Sequence, residues 1–430
     1  MTYQEENNIL LNKTYEEYFY NNWKNKENPK SIEFIFSPYC NLKCKYCYLN
    51  HHYDEQFPLQ DFNAEKSINN ALKICQWLVS NHYTPTLNIF SGELFAQESG
   101  FKLLEKILDF YSSVPKEDRI PKIIIPTNGT FCGTEKEFRV ETLIQKAEKL
   151  DIPLYLSLSV DGIYMDEDNR PGISRDYSYI FNFAKKHNLC FHPMIYSNNI
   201  EKWIDNFNWF QEKFKEYNIP WYNLYLLQVR NKEWTREQDY ELYKFIKYII
   251  HYSYEKCDKN IIKFFNFLSS PNCGQGFNIL SWLNNNIVDR YTCSIQLELS
   301  IRLNDMKVFP CHRLMYPSFE IGQYNESMLL EAANVSLGVA MPYIKPKDAP
   351  LCSNCDINEL CQGGCLGSQY ETTKSILTPI PTVCLNYIYI FKALIDGFDE
   401  INILNKMIEK FDDERILQIN RLRRINIDEL

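Results

Sequence analysis

Residues 31–49 read SIEFIFSPYCNLKCKYCYL, a short apolar run followed at once by three closely spaced cysteines. The run has the β-branched and aromatic residues of a buried strand. Cys40, Cys44 and Cys47 then have the spacing C-x3-C-x2-C. Three thiolates in one loop can bind three irons of a [4Fe-4S] cluster and leave the fourth iron without a protein ligand. A structural zinc site would need a fourth ligand, which a histidine at position 51 or 52 could supply.

Strands and helices are predicted to alternate along the chain from this first strand onward. Short apolar runs bounded by turn residues predict the strands, and apolar residues at helical spacing predict the helices between them. Such repeats give parallel strands, and six of them are too few for a closed eight-unit barrel, so we expect an α/β fold with a partial (β/α)6 TIM-like barrel. The predicted strands are 31–36, 87–90, 122–126, 154–160, 190–196 and 222–227, and the predicted helices are 64–82, 101–112, 135–150, 176–187 and 200–217.

Polar and glycine-containing loops follow four of the predicted strands, at 37–47, 91–93, 127–129 and 161–162. Functional loops of parallel α/β folds leave the carboxyl ends of the strands. We therefore expect the four loops to meet at one active-site mouth.

Composition limits the classes of function. The chain has 430 residues, enough for two domains, and no run approaches the roughly 18 apolar residues of a membrane span. Its first residues lack the features of a secretory signal, and its net charge of −9 argues against binding to nucleic acid. We expect a cytoplasmic protein with no membrane and no nucleic-acid partner.

Fifteen cysteines in a chain expected to lie in a reducing compartment favour metal ligation over disulfides. The isolated Cys75, Cys132, Cys190 and Cys257 are interpreted as small buried side chains. A dense downstream group has the core spacing C-x2-C-x5-C-x3-C, which would suit iron-sulfur clusters or a pair of zinc ribbons. The members of this group are Cys293, Cys311, Cys352, Cys355, Cys361, Cys365 and Cys384.

The first cysteine loop, with Tyr46 directly before its last cysteine, resembles the radical S-adenosylmethionine (SAM) superfamily. The resemblance implies that its three cysteines hold a [4Fe-4S] cluster whose open iron binds the amino and carboxylate groups of SAM. Cleavage of SAM by an electron from a flavodoxin- or ferredoxin-type donor then gives methionine and a 5′-deoxyadenosyl radical. The cofactor supplies the difficult chemistry while the protein positions it.

Further motifs of the superfamily follow in order at strand ends. SGE at 91–93 resembles its Gly-Gly-Glu-Pro motif with departures at both ends, TNG at 127–129 resembles its Thr-Asn-Gly element, and SVDG at 159–162 resembles its Ser-x-Asp-Gly element. An arginine further on can pair with the cofactor carboxylate. Without the resemblance, the Asn-Gly and Asp-Gly pairs are simply turn dipeptides. The implied cofactor-binding residues are Tyr46, Gly92, Glu93, Thr127, Asn128, Ser159 and Arg170.

The downstream cysteine group resembles the C-terminal SPASM extension of the same superfamily, which binds two auxiliary [4Fe-4S] clusters. The extension often has a glycine where this chain has Met306, so we expect a differently built turn there. The resemblance implies one cluster on Cys352, Cys355, Cys361 and Cys384 and another on Cys293, Cys311 and Cys365, with Cys273 a candidate for its fourth ligand.

Five segments are therefore expected along the chain. Regular strand and helix spacing ends near residue 235, and cysteines become dense some 60 residues later. The segments are an N-terminal extension (1–30), a radical SAM partial barrel (31–235), a helical bridge (236–290), a cysteine-rich SPASM domain (291–390) and a C-terminal helical tail (391–430).

Auxiliary clusters indicate a net oxidation of substrate, because a substrate radical must lose a further electron after hydrogen abstraction. In sulfatase-maturing relatives, an Asp directly follows the cysteine that corresponds to Cys311 and serves as a base, whereas here that position is His312. We therefore interpret the chain as a maturase that modifies, and cross-links, a ribosomally made precursor peptide. His312 is the candidate catalytic base, or else it packs beside a cluster ligand.

Two other functions stay open at this point. One is an anaerobic sulfatase-maturing enzyme that generates formylglycine, and the other is a non-enzymatic iron-sulfur electron-transfer protein. Because only about 30 residues precede the first strand, we expect a separate leader-binding protein, or another surface, to recognise the leader of the peptide.

Overall fold

The structure is a computed structural model that describes most of the chain. Cys273 and Cys293 lie outside the described residues, and so the ligand roles predicted for them stay predictions. No helix in the described part is long and apolar enough to cross a membrane. The described residues are 31–49, 62–173, 175–229, 233–269, 298–320, 322–324, 351–361, 364–376, 378–409 and 413–429.

Strands and helices alternate through the first half of the chain, and helices dominate its last third. The strands are β1 (Ser31–Ile35), β2 (Thr86–Phe90), β3 (Ile123–Thr127), β4 (Leu154–Leu158), β5 (Cys190–Phe191), β6 (Met194–Ile195), β7 (Leu227–Gln228), β8 (Glu298–Arg302), β9 (Lys307–Phe309) and β10 (Gly322–Gln323). The α-helices are α1 (Ala64–Ser80), α2 (Glu98–Ser112), α3 (Glu135–Lys149), α4 (Asp166–Asn169), α5 (Tyr177–His187), α6 (Trp203–Tyr217), α7 (Arg236–Lys256), α8 (Ile261–Ser269), α9 (Asn358–Cys361), α10 (Leu366–Thr373), α11 (Pro381–Glu400), α12 (Leu404–Ile408) and α13 (Asp413–Arg424). Short 3-10 helices cover Leu94–Ala96, Lys116–Asp118, Ser197–Lys202, Pro317–Phe319 and Ile427–Glu429.

The predicted α/β fold class is confirmed. Each helix predicted between strands is present within three residues of its predicted bounds. The strand predicted at 190–196 is divided into β5 and β6, because Pro193 has no N–H to donate to a ladder. The strand predicted at 222–227 is reduced to the two residues of β7 and an isolated bridge from Leu224 to Phe191.

The described residues group into two compact units, of which the first contains the main sheet. Within this unit, the strands of the sheet lie in the order β10-β9-β8-β1-β2-β3-β4. The five neighbouring strands β8, β1, β2, β3 and β4 are parallel to one another. Strand β9 is antiparallel to both of its neighbours, β8 and β10. Helices cross between the parallel strands, so the carboxyl ends of these strands, and the loops that follow them, lie at one edge. The first unit comprises the described residues within Met1–Ser159, Arg170–Leu189 and Ser294–Ile344.

Strand β8 lies beside β1, a pairing that the sequence pattern did not predict. The register joins Ser31 to Glu298 and Ile35 to Arg302. The strand comes long after the strand-helix repeat has ended, so local spacing gave no reason to place it next to β1. Beyond this pairing, the N–H of Leu303 donates to the carbonyl of Ile35 at 3.0 Å, and His312, after β9, lies beside Tyr48 of the cysteine loop.

The hairpin between β8 and β9 turns at Met306. Its backbone has φ of +60°, in the left-handed region that favours glycine, and its N–H donates to the carbonyl of Arg302 at 2.8 Å. Met306 therefore adopts a conformation that glycine adopts most readily, and the expectation of a differently built turn stays a prediction. Burial of its side chain offsets the strain of that conformation.

The second unit is mainly helical. Helices α7 and α11 pack along each other, and Gly397 permits the close approach, since a Cβ there would lie 2.6 Å from Cδ1 of Ile250. The same two helices are joined by a buried hydrogen bond of 2.6 Å from Nδ2 of Asn386 to Oδ1 of Asp239. The unit comprises the described residues within Val160–Asn169, Cys190–Cys293 and Lys345–Leu430. The five-segment division expected from the sequence stays a prediction.

Candidate active site

The loop after β1 carries Cys40, Cys44 and Cys47, and each is partly exposed. The N–H of Cys47 donates to the carbonyl of Cys44 at 3.1 Å, which turns the chain between them. The N–H of Leu42 donates to Sγ of Cys40 at 3.4 Å. Burial raises the pKa of the Cys40 thiol to about 11, so the thiolate that a cluster needs is disfavoured until a cation compensates it.

The tripeptide after β2 packs directly on this cysteine loop. The N–H of Gly92 donates to the carbonyl of Ser37 at 2.7 Å, and the N–H of Glu93 donates to the carbonyl of Tyr39 at 2.8 Å. A Cβ at position 92 would lie 2.3 Å from the Tyr39 oxygen and 2.4 Å from the Pro38 oxygen. Both atoms belong to the backbone, so only glycine fits, and the two loops form one surface.

Glu93 is buried and accepts hydrogen bonds from three donors. Its Oε1 accepts from Oγ1 of Thr127 at 2.8 Å and from the N–H of Phe95 at 3.2 Å, and its Oε2 accepts from the N–H of Asn128 at 2.6 Å. Burial raises the pKa of Glu93, while these donors and the positive charge of Arg170 oppose the rise. Glu93 thus ties the loops after β2 and β3 together and places a carboxyl group inside the site.

Asn128 links the loop after β3 to the cysteine loop. Its Nδ2 donates to Oδ1 of Asn41 at 2.9 Å and lies 4.0 Å from Sγ of Cys40. Its Oδ1 accepts from Oγ1 of Thr130 at 2.7 Å. Gly129 follows with φ of +71°, the left-handed conformation that an Asn-Gly turn uses.

Arg170 supplies a buried positive charge to the same region. Its Nη2 donates to the hydroxyl of Tyr46 at 2.7 Å, and the guanidinium carbon lies 5.8 Å from the centre of that ring. Ser159, after β4, donates its N–H to the carbonyl of Thr127 at 2.7 Å. The loops after β1, β2 and β3 therefore meet, together with Ser159 and Arg170. The fourth predicted loop, 161–162, belongs to the second unit.

His312 follows β9 and is held by Glu33, a buried residue of β1. Nδ1 of His312 lies 3.0 Å from Oε1 of Glu33, and the N–H of His312 donates to Oε2 at 3.1 Å. The imidazole is stacked on Phe90 with ring centres 4.4 Å apart and an angle of 15°. Burial alone would lower the pKa of His312, but the charge and hydrogen bond of Glu33 outweigh it and raise this pKa, while the pair lowers the pKa of Glu33.

Five of the downstream cysteines line one cavity in the second unit. Burial, together with the nearby thiols of Cys352 and Cys355, raises the pKa of Cys384 to about 11. Cys365, predicted for the other auxiliary cluster, lines this cavity too, and Cys311 is buried after β9 in the first unit. Within the described ranges, there is no group of three or more His, Cys, Asp or Glu side chains whose arrangement would already bind a metal ion. The five cysteines are Cys352, Cys355, Cys361, Cys365 and Cys384.

Sequence reasoning missed Glu33 and Asn41. For Glu33 a signal exists, because it is the one charged residue in the apolar run IEFIF, where a buried carboxylate requires a partner. For Asn41 none exists, since a polar residue inside a loop is ordinary. Only the fold shows that Asn41 and Asn128 face each other.

Comparison with known proteins identifies the class. Residues 34–237 match the model of the Radical SAM superfamily. The chain therefore carries a radical SAM domain, which implies an enzyme that uses SAM and a [4Fe-4S] cluster, and the electron-transfer alternative is not supported. Among proteins with curated descriptions, none matches the chain.

Solved structures extend the likeness beyond this domain. The chain is similar to native anSMEcpe with bound AdoMet, at 18% identity over 88% of this chain and 100% of that one, with a TM-score of 0.58. The complex of anSMEcpe with AdoMet and the Cp18Cys peptide matches equally well, at 18% identity over 88% and 99%, with a TM-score of 0.58. Streptococcus suis SuiB bound to precursor peptide SuiA matches at 14% identity over 86% and 79%, with a TM-score of 0.52. At identities of 14% to 18%, these solved structures show a likeness of fold alone.

Proposed function

We propose that this protein is a radical SAM maturase that oxidises, and cross-links, a ribosomally made precursor peptide. The observation that carries the proposal is His312, which follows Cys311 where sulfatase-maturing relatives have an Asp, and which Glu33 and Phe90 hold in place. Similarity of fold to SuiB, which was solved with the precursor peptide SuiA, supports a peptide substrate.

The residues of the first unit fit SAM by their chemistry. Cys40, Cys44 and Cys47 would bind the cluster. Glu93 and Arg170 place a carboxylate and a guanidinium in one buried region, where they match the amino and carboxylate groups of a methionyl moiety. The role proposed for Tyr46 is to hold Arg170, and Gly92, Thr127, Asn128 and Ser159 form the surrounding surface. When bound, SAM supplies the 5′-deoxyadenosyl radical.

Two auxiliary [4Fe-4S] clusters complete the proposed set of three. Abstraction of one hydrogen atom leaves a substrate radical, and closure of a new bond then releases one proton and one electron. When bound, an auxiliary cluster would supply the acceptor for the electron, and His312 would accept the proton. The cavity lined by five cysteines supports one such cluster. The proposed ligands of the other are Cys311 and Cys365 with Cys293 and Cys273, the last two lying outside the described residues.

The proposed partners follow from this chemistry. They are the precursor peptide and a flavodoxin- or ferredoxin-type electron donor, with any leader of the peptide recognised by a separate small protein or by another surface. A cytoplasmic location is proposed because fifteen cysteines, interpreted as cluster ligands and small apolar side chains rather than disulfides, suit a reducing compartment.

Mass spectrometry of candidate precursor peptides, co-produced with the enzyme without oxygen, tests the proposal. We expect the peptide to lose two hydrogen atoms, and we expect fragmentation to stop within the new cross-link. A control with peptide alone should keep its mass. Release of 5′-deoxyadenosine without any change in peptide mass, for every candidate tried, would contradict the proposed function.

Sulfatase maturation is the second candidate function, and likeness to anSMEcpe in complex with the Cp18Cys peptide favours it. Incubation with a sulfatase peptide containing Cys or Ser separates the two candidates. We expect no aldehyde, because an imidazole replaces the carboxylate base after Cys311. Formation of the aldehyde would favour sulfatase maturation over peptide cross-linking, and it would leave the proposed radical mechanism unchanged.

His312→Ala tests the proposed base directly. General-base assistance contributes about 10²- to 10⁴-fold, so we expect product formation to slow by about that factor relative to SAM cleavage. Both rates are measured in one assay, as peptide product and 5′-deoxyadenosine. Equal slowing of both would show that His312 only supports the structure.

A further inference from the structure

Glu33 is an ionisable residue in the middle of β1, and among the described residues its carboxylate forms hydrogen bonds only with His312 and Ser300. Its carboxylate is 1% exposed and accepts from three donors: the ring and the backbone of His312, and the hydroxyl of Ser300 on β8. An apolar side chain would fill the same space without burying a charge. A protein with a buried ion pair is often no more stable than one with apolar side chains in the same place. The arrangement therefore calls for a reason other than stability.

The contacts of Glu33 determine which ring nitrogen of His312 carries a proton. Oε1 faces Nδ1 at 3.0 Å, and a carboxylate can only accept, so Nδ1 must bear the hydrogen. Oε2 is taken by the backbone N–H of His312 and by Ser300. Stacking on Phe90 fixes the plane of the ring.

The second ring nitrogen, Nε2, is the one left open. Within the part of the chain that the structure describes, no hydrogen-bond partner faces it. The side chain of His312 is 24% exposed, whereas Glu33 is sealed behind it. Tyr48, two residues after Tyr46 in the cysteine loop, lies beside the ring with centres 5.9 Å apart.

We propose that Glu33 is a positioning residue that holds the hydrogen of His312 on Nδ1 and thereby presents Nε2 to the peptide substrate. The inference rests on the proposed function, because it concerns how that reaction uses His312. A carboxylate that orients an imidazole through Nδ1 while Nε2 works on the substrate is a known arrangement in other enzymes.

Glu33→Gln is the sharpest test, because the amide has the same shape and only one acceptor. The backbone N–H of His312 can only donate, so the amide oxygen must face it, and the NH2 group must then face Nδ1. Nδ1 becomes an acceptor and the proton moves to Nε2. We expect the ratio of peptide product to 5′-deoxyadenosine to fall by at least about 10²-fold.

Ser300→Ala is the matched control, since it removes a contact of the same carboxylate and leaves Nδ1 bonded. We expect its product ratio to equal that of the native enzyme. The double variant Glu33→Gln, His312→Ala should lose no more product than His312→Ala alone, because a positioning residue acts only through the group it positions. Additive losses would overturn the proposal in favour of a structural role.

A measurement that needs no peptide substrate tests the role of Glu33 independently of the proposed function. Diethyl pyrocarbonate modifies an unprotonated imidazole nitrogen, so the rates are compared in the holoenzyme on the alkaline plateau of the pH profile, where the imidazole is neutral in both proteins. Mass spectrometry of the peptide containing His312 follows the reaction. We expect modification at Nε2 in the native enzyme and a several-fold slower reaction in Glu33→Gln. Equal rates would overturn the role of Glu33, even if no peptide product is ever found. A native enzyme that modifies no peptide but shows the rate difference would refute only the proposed function.

Discussion

The described cysteines differ in their exposure to solvent: some are buried and others are partly exposed. Cys75, Cys190 and Cys257 are buried, as the interpretation of isolated cysteines as small apolar side chains expected. Burial raises the pKa of Cys75 to about 12, which leaves its thiol protonated. Cys132 is only partly buried. Among the described cysteines proposed as ligands, Cys311 is buried and all the others are partly exposed.

Replacement of Cys40, Cys44 and Cys47 together by Ala is expected to abolish 5′-deoxyadenosine release. About two-thirds of the iron should remain, because the two auxiliary clusters use other ligands. Iron and sulfide analysis of the anaerobically purified variant, with chromatography of the nucleoside product, measures both quantities.

Cys132→Ala is the matched control for this prediction. Cys132 lies in the loop after β3 and near Glu93, yet it is not among the proposed ligands. Full SAM cleavage is expected from this variant. If the triple variant still released 5′-deoxyadenosine, the assignment of the SAM cluster to the first loop would be wrong.

At the scale of elements, the hairpin of β8 and β9 shows strain offset by burial. A left-handed backbone at a residue other than glycine costs about 1 kcal/mol, and a fully buried Met side chain contributes about 1.5 to 3 kcal/mol. Both Met306→Ala and Met306→Gly lose the buried Met side chain. The Ala variant keeps the backbone strain, whereas the Gly variant relieves that strain. We expect both variants to be less stable than the native protein, with Gly more stable than Ala by about 1 kcal/mol.

Urea unfolding followed by circular dichroism measures this difference in the free energy of unfolding. Ala147 in α3 is the control position, because its backbone is helical and there Gly should be less stable than Ala by about 1 kcal/mol. A Met306→Gly protein no more stable than Met306→Ala would show that the turn relaxes in the variants.

The contact between α7 and α11 should make stability depend on pH. Burial raises the pKa of Asp239 to about 6, and its Oδ2 has no hydrogen-bond partner among the described residues. A raised carboxyl pKa means that the folded state binds the proton more tightly than the unfolded state. The contribution to stability is therefore full below the ordinary pKa of 3.8 and is lost as pH rises through about 6.

Asp239→Asn removes this titration and keeps the acceptor for Asn386. We expect the melting temperature of the variant, relative to the native protein, to rise between pH 5.5 and pH 7.5, since the native carboxylate must become charged in that interval. Thermal melts at several pH values measure the difference. A constant difference across the interval would mean that Asp239 is already ionised in the folded protein at pH 5.5.

At the scale of the whole molecule, the proposed function uses both a SAM site in one unit and a cysteine-lined cavity in the other. Cys361→Ala should separate the two activities. We expect lower iron content, because a ligand of the cavity is lost, and little peptide product, with SAM cleavage retained without coupling to it. Metal analysis also tests the zinc-ribbon alternative, which predicts zinc and no sulfide. Iron content equal to that of the native protein would refute the ligand assignment.

Sequence alone determined the features that local spacing encodes. The three cysteines of the first loop, the alternation of strand and helix, and the order of the polar loops all depend on residues near one another in the chain. The meeting of the loops after β1, β2 and β3 follows from parallel strands, whose carboxyl ends share one edge.

Tertiary structure alone decided the pairings between distant segments. Glu33 and His312 are 279 positions apart, and β8 joins β1 across a comparable distance. No periodicity in the sequence encodes such a pair, because which strand completes an open edge depends on the packing of the entire unit. The same reason explains Met306, where the backbone conformation is imposed by the register of β8 and β9 and by the burial of its side chain, rather than by the preference of methionine itself.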